Sequence, residues 1–356
     1  MFHHDLMKHL LFWIVFTVAV DRTAVGLDTV TRRSTDKRAA GEITEVSKTE
    51  VTVKPKVGSA TTVPANDIER IEWDGEPGSL KLARSNVVSG QYELAIENFN
   101  KAKTEASAGQ ELLQNDITYG ICQATGKLAL VDAEQQSAAI ELLNKFLEDH
   151  SDHYRFYDAL LLLGDVHLAR EETLEANAAF NRVAAAPWPD YQMAANLALG
   201  RTALQQGDVA AARTAFESVS SMQAKSPAEE ARKFEALLGL ATVLQRENKY
   251  QEAADALNEI IHNSSVDDIR LQAEAYVRQG DCYAAIAGRE KDAVMAYLHL
   301  DVIPSLSTEN DLHAEALYHL AKLWPSLGHV DRADLAAGKL QSEYPNSLWT
   351  KKLANE

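Results

Sequence analysis

Few residues in this chain have types and spacings suited to chemistry. The stretch EDHSDHYRFYD (Glu148–Asp158) brings His150, Asp152 and His153 together, and imidazole with carboxylate is a usual donor set for a divalent metal. Their spacing does not match the i, i+4 step that puts two ligands on one helix face. The polar surroundings read as a loop in which these groups are hydrated. Cys122 in YGICQA and Cys282 in QGDCYA have similar neighbours, which suggests equivalent positions in two copies of one unit. No G-x-S-x-G, H-E-x-x-H, phosphate-cradling Walker or dinucleotide pattern occurs. HNSS makes Asn263 a formal glycosylation sequon, meaningful only in a eukaryotic secretory pathway. No catalytic residue, metal site or cofactor is therefore expected. An enzyme would need an acid and a base converging from separated segments.

The elements that would position such residues are helices for most of the chain. Of 356 residues, 46% are hydrophobic and 24% charged, and glycine (17) and proline (9) are sparse, which favours helix. The formal net charge of −17 argues against sequence-independent nucleic-acid binding, which relies on Lys and Arg neutralising phosphates. Anionic membrane surfaces are disfavoured in the same way.

GQYELAIENFNKA (Gly90–Ala102) interleaves small residues (Gly90, Ala95, Ala102) with rings (Tyr92, Phe99). A lone amphipathic helix has no reason to do so, since its buried stripe accepts any bulky residue. The pattern returns as Ala139/Leu143/Phe146, Ala176/Phe180/Val183, Ala212/Phe216/Val219, Ala253/Leu257/Ile260, Ala293/Tyr297 and Ala333/Ala337/Leu340, making seven copies. Each follows a helix with a small residue, usually twelve positions earlier: Ala83, Gly120, Gly164, Gly200, Ala241, Gly280 and Ala321. Two antiparallel helices approach closely only where the contact carries little side chain. Gly164 is thus expected to meet Ala176, with Phe180 filling the space toward the next pair. Gly90, Gly207 and Gly328 suit the left-handed reversal between helices, and Pro304 and Pro345 suit helix stops. GKLALVDAE (Gly126–Glu134) reads as a tolerated loop insertion. Four units separate the two cysteines, roughly 40 Å at about one helix diameter of 10 Å per unit, so they are expected as buried free thiols.

Leu163-Gly164, Ala176, Phe180 and Pro187, and again Leu320-Ala321, Gly328, Ala333 and Pro345, resemble the tetratricopeptide repeat. The family's tryptophan position is lost, and its Phe position in the last copy is Ala337. The resemblance covers residues 79 to about 350. It implies a mainly α protein, a right-handed α-solenoid of about seven helix pairs with a groove along the first helices, and a role in binding proteins. NKFLEDHSDH and SEYPNS are similar to repeat ends of bacterial periplasmic members, which act in outer-membrane assembly, envelope division or secretion machinery. Three before the small residue, the first helices carry Leu80, Ile117, Leu161, Leu197, Leu238, Val277 and Tyr318, an apolar row. Just after it they carry Arg84, Ile121, Asp165, Arg201, Thr242, Asp281 and Lys322. Family members that clamp acidic C-termini use Lys and Asn in the groove; leucines stand there here. Leu161, Asp165, Leu197, Arg201, Leu238, Thr242, Val277, Asp281, Tyr318 and Lys322 are the expected groove residues, with an apolar or amphipathic segment of a partner protein as ligand.

Before the repeats, residues 27–76 alternate Val, Ile and Thr with polar residues, as in GEITEVSKTEVTVKPK and ATTVPANDIERIEW. This predicts a small all-β domain of four or five strands, vaguely similar to SH3-like or Sm-like barrels, with DGEPGS (Asp74–Ser79) as a hinge. Residues 1–26 hold Lys8, the apolar run Leu10–Val20 and a small-x-small site at Ala24 to Gly26, which read as a cleaved secretory signal. About eleven apolar residues are too few for a spanning helix of roughly twenty. The expectation is an exported, periplasmic or extracellular scaffold without a membrane span after cleavage; an accessory subunit of an envelope complex is the alternative.

Overall fold

A computed structural model describes residues 27–355; the expected signal sequence lies outside them. Five antiparallel strands come first, β1 (Asp28–Arg32), β2 (Ala39–Val46), β3 (Glu50–Lys54), β4 (Thr61–Pro64) and β5 (Ile68–Glu72), in the order β4-β3-β2-β1-β5. Val51, Val53 and Val63 point inward between exposed or half-buried neighbours, the period of two that one buried sheet face imposes. The register slips between Ile43 and Glu45, and β2 passes so close to β3 that a Cβ on Gly41 would lie 2.8 Å from Pro55 N.

Seven helix pairs follow: α1 (Gly78–Val88) and α2 (Tyr92–Glu105), α3 (Glu111–Ala129) and α4 (Gln136–Asp149), α5 (Phe156–Ala169) and α6 (Thr173–Ala184), α7 (Pro189–Gln205) and α8 (Val209–Ser220), α9 (Pro227–Arg246) and α10 (Tyr250–Asn263), α11 (Ile269–Ala284) and α12 (Glu290–Val302), α13 (Asn310–Leu323) and α14 (Val330–Glu343). A short α15 (Leu348–Ala354) closes the array, with Trp349 packed on Tyr318 at 5.1 Å between ring centroids. The first helices of successive pairs pack against one another from α1 to α13, so they line the inner face of an α-solenoid. No helix among the described residues is long and apolar enough to cross a membrane.

The interleaving of small residues and rings has a steric cause. A Cβ on Gly164 would lie 2.7 Å from Phe180 Cδ1, one on Gly120 2.6 Å from Phe99 Cζ, and one on Gly280 2.6 Å from Tyr297 Cζ. The glycine therefore meets the ring of the second helix, not Ala176 as expected. Phe216 lies against two glycines, Gly200 in its own pair and Gly239 in the next.

Gly90, Gly207 and Gly328 reverse the chain at φ +71°, +77° and +81°, whereas Glu171 and Asn248 take the same left-handed conformation at +62° and +60°. Left-handed backbone costs a residue with a Cβ about 1–2 kcal/mol, part of which glycine gives back as freedom in the unfolded chain. Glu171→Gly is expected to stabilise the protein by about 0.5–1 kcal/mol, read as a higher urea midpoint at unchanged slope.

Two expectations need correction. Gly126–Ala129 are not an inserted loop but the last turn of the 19-residue α3, where Gly126 admits the Leu162 side chain. Asp74–Ser79 is not a free hinge: one core joins Val30, Ile71 and Trp73 to Leu80, Phe99 and Ile117. The sheet is built onto the first pairs. Both cysteines are free and buried, and burial pushes the thiols up to about 12 for Cys122 and about 11 for Cys282, well away from reactive thiolates.

Candidate protein-binding groove

The inner face divides into two regions. Along the first pairs it is occupied by the chain's own sheet. Edge strand β5 turns its free carbonyls to the helices, where Arg155 Nη2 donates to Glu69 O at 2.6 Å and Arg84 Nη2 to Ile71 O at 2.9 Å. Such capping leaves the edge unavailable for pairing with another strand. Beneath it lies Asp116, which accepts from Tyr154 Oη at 2.6 Å, Trp73 Nε1 at 2.9 Å and Arg84 Nη2 at 3.2 Å. Burial opposes its ionisation, but Arg84, His153 and the two neutral donors hold the carboxyl below its ordinary value.

His153 belongs to the same contact and is not hydrated, which corrects the sequence reading; of the three candidate ligands only Asp152 is exposed, and it accepts from Lys48 N. The His153 ring packs on Tyr154, Phe146 and Tyr119 at 4.7, 5.3 and 6.1 Å, and its Nδ1 accepts from Arg155 N at 3.2 Å. Protonation would remove that acceptor. Burial, with Arg155 adding to it and Asp116 opposing, lowers the imidazole to about 4 from 6.5. The folded protein then binds fewer protons than the unfolded chain between these values. Stability is complete above pH 6.5, falls as pH drops below it, and loses nothing more from this group below pH 4. The expected loss is about 3 kcal/mol in full, of which about 2.5 kcal/mol is read by urea unfolding at pH 7 and pH 4.5, and His153→Gln should flatten that part of the profile.

The second region opens between α7, α9 and α11. A cavity of about 410 Å³ is walled by Leu197, Leu204, Leu238, Leu271 and Phe216, with Thr242 at its side. That volume suits one or two large side chains. Arg201, Glu235, Arg270 and Glu274 form its polar margin. Four of the ten expected groove residues, Leu197, Arg201, Leu238 and Thr242, meet here.

The others do not form the continuous row expected. Val277 and Tyr318 are buried, and Leu197, though it lines the cavity, is only 1% exposed. Leu161 is half-buried but packs with Phe180 and Ala198. The charges are engaged within the array: Arg201 with Asp165 of α5 at 3.5 Å, and Asp281 with Arg278 of its own helix at 2.5 Å and with Tyr297 Oη of α12 at 2.7 Å. Arg84, expected to fix a partner's register, is spent on Glu76 and Asp116. Lys322 is exposed near the end of α13.

Sequence reasoning missed one cluster with metal-ligand chemistry. Asp281, Glu315 and His319 place one ligand atom each within 4.8 Å of one another. The Arg278 guanidinium fills that space with two 2.9 Å bonds to Glu315, and His319 stacks on Tyr297 at 4.8 Å. The carboxylates are neutralised from within. No local pattern signals it, because Asp281 and Glu315 lie on different helices.

The tetratricopeptide repeat model matches residues 128–191, 197–268 and 238–299, and a second model of that repeat matches 315–347. Among solved structures, a tetratricopeptide repeat protein from Parabacteroides merdae is 17% identical with a TM-score of 0.51, over 78% of this chain and 96% of that one. The apo form of RapI is 13% identical with a TM-score of 0.52, over 77% and 79%. A signal transduction ATPase with a tetratricopeptide repeat sensor from Pyrococcus horikoshii is 17% identical with a TM-score of 0.53, over 78% of this chain and 43% of that protein. No curated protein sequence matches the chain. The likeness in structure concerns the fold; the repeat matches span more than half of the sequence, and the chain belongs to the tetratricopeptide repeat family.

Proposed function

We propose that this protein is an exported, non-enzymatic scaffold that holds an apolar or amphipathic segment of a partner protein against the inner face of its C-terminal pairs. The observation that carries the reading is the apolar cavity between α7, α9 and α11, on the part of the inner face that the sheet leaves uncovered. A partner side chain entering it exchanges water for the leucine walls, and neighbouring backbone lies along the first helices. Export rests on the apolar run Leu10–Val20 and the small residues after it, and N-terminal sequencing of the mature protein tests it.

Leu238→Glu tests the groove. Leu238 is half-buried at the cavity wall, so a carboxylate there spoils the apolar surface without breaking a fully buried contact. A cross-linked partner recovered from the source envelope with the wild type should be lost with a Leu238→Glu protein of unchanged circular dichroism. Equal recovery from both would place binding elsewhere.

A further inference from the structure

The charges around the cavity point to the chemistry of its occupant. The cavity and the adjoining cleft of about 340 Å³ between α9, α11 and the start of α13 share Glu235, Arg270 and Leu271. Their lining carries five carboxylates, Glu235, Glu274, Asp267, Asp268 and Glu309, against two guanidiniums, Arg201 and Arg270. Both guanidiniums are already matched: Arg201 by Asp165, Arg270 by Glu309 and Asp311 at 2.8 Å each. Glu235 is satisfied by Arg232 at 2.7 Å. Among the described residues Glu274, Asp267 and Asp268 have no ion-pair partner, so the acidic excess lies in the turn before α11 and on its second turn, beside the apolar opening. Its low-dielectric wall strengthens the field there, and the net charge of −17 acts in the same sense at longer range.

We propose that the groove takes a cationic amphipathic peptide segment, with a large apolar side chain in the cavity between α7, α9 and α11 and lysine or arginine beside it facing Glu274, Asp267 and Asp268. This rests on the reading of the inner groove as the binding face and adds the partner's charge. A neutral apolar segment would leave these carboxylates uncompensated, and an acidic one would meet repulsion. Cation and apolar anchor are needed together, because the paired arginines offer no replacement charge and the cavity no polar floor.

Fluorescence polarisation with three labelled peptides tests it: one of alternating leucine and lysine, one of leucine and glutamate, one of serine and lysine. The leucine–lysine peptide should bind best, and Glu274→Lys should weaken it by about fivefold, more at low than at high salt. Glu259→Lys makes the same charge change on the exposed outer helix α10 and should leave affinity within about twofold. Equal weakening by both reversals, or equal binding of the serine–lysine peptide, reduces the effect to net charge and overturns the proposal. Binding of the leucine–glutamate peptide that is lost in Leu238→Glu keeps the groove and overturns its charge preference. No difference between wild type and Leu238→Glu for any peptide overturns the groove itself. Circular dichroism of each variant certifies the fold.

Discussion

Gly164→Leu is expected to destabilise the protein by about 3 kcal/mol, enough to melt its pair ahead of the rest of the array. Even a methyl group at this position would sit 2.7 Å from Phe180 Cδ1. Phe180 is fully buried with Ala176 and Ala198 around it, so the ring has nowhere to go and the helices must part. The same chemical change has the opposite sign elsewhere. Gly338, in the middle of α14, has nothing within 4 Å of its added Cβ, so Gly338→Ala should stabilise by about 0.5–1 kcal/mol through helix propensity alone. A double-mutant cycle identifies the cause: Phe180→Leu opens space, and Gly164→Ala combined with it should cost at least about 1 kcal/mol less than the sum of the two single changes. Additive effects would mean that the ring is not what the glycine accommodates. Because each pair contacts only its neighbours, the melt of Gly164→Leu should show an early phase confined to the pairs around α5 and α6, seen by hydrogen exchange.

The contrast between Gly164 and Gly338 also explains what the sequence could tell. The phase of the repeat was readable because close contact between a small residue and a ring constrains residue type at both partners, and it recurs as ring on glycine at Gly120, Gly164, Gly200 and Gly280. Helix number and pairing follow from that constraint, and the reversals at Gly90, Gly207 and Gly328 from the left-handed backbone that glycine admits. Which strip of each first helix remains exposed was not readable. A first helix packs against its own partner and against first helices on either side, so the apolar row from Leu80 to Tyr318 is consumed mainly by the core, and Leu197 and Val277 are as buried as any ring. Charge pairing was hidden for a related reason. Arg201 with Asp165 and Arg278 with Glu315 join residues about one repeat apart, and no local pattern distinguishes a charge used there from one facing solvent. His153 went astray through a contact of greater range: the polar sequence around it is covered by Tyr119 and the Asp116 network, which the arriving sheet closes. Gly239, which admits Phe216 from the preceding pair as Gly120 admits Phe99, lines the cavity between α7, α9 and α11, but it lies two residues before the small position of its helix, outside the repeated pattern.

Asp116→Ala should be the most damaging single polar change, with an expected loss of about 3–5 kcal/mol. The carboxylate collects a guanidinium, an indole N–H and a phenol O–H in a buried space. Its removal leaves the Arg84 charge with Glu76 alone and two neutral donors without acceptors, and a stranded buried group costs far more than the net worth of the bond it made. Tyr154→Phe, which removes only one donor, should cost about 1 kcal/mol. The position of the network decides where the loss is felt. Trp73 follows directly on β5, Arg84 lies on α1 and Asp116 on α3, so this carboxylate is the polar fastening between sheet and solenoid, set within the apolar core they share. Hydrogen exchange should show residues 28–72 and the first two pairs losing protection together, while α9 to α14 keep theirs. Loss spread evenly over the array would mean that the sheet is not a separate fastening point. If it behaves as expected, Leu80 and Ile117, whose apolar surface the sheet now covers, become accessible. In the intact protein the sheet, held by this carboxylate, is what covers that apolar surface of α1 and α3.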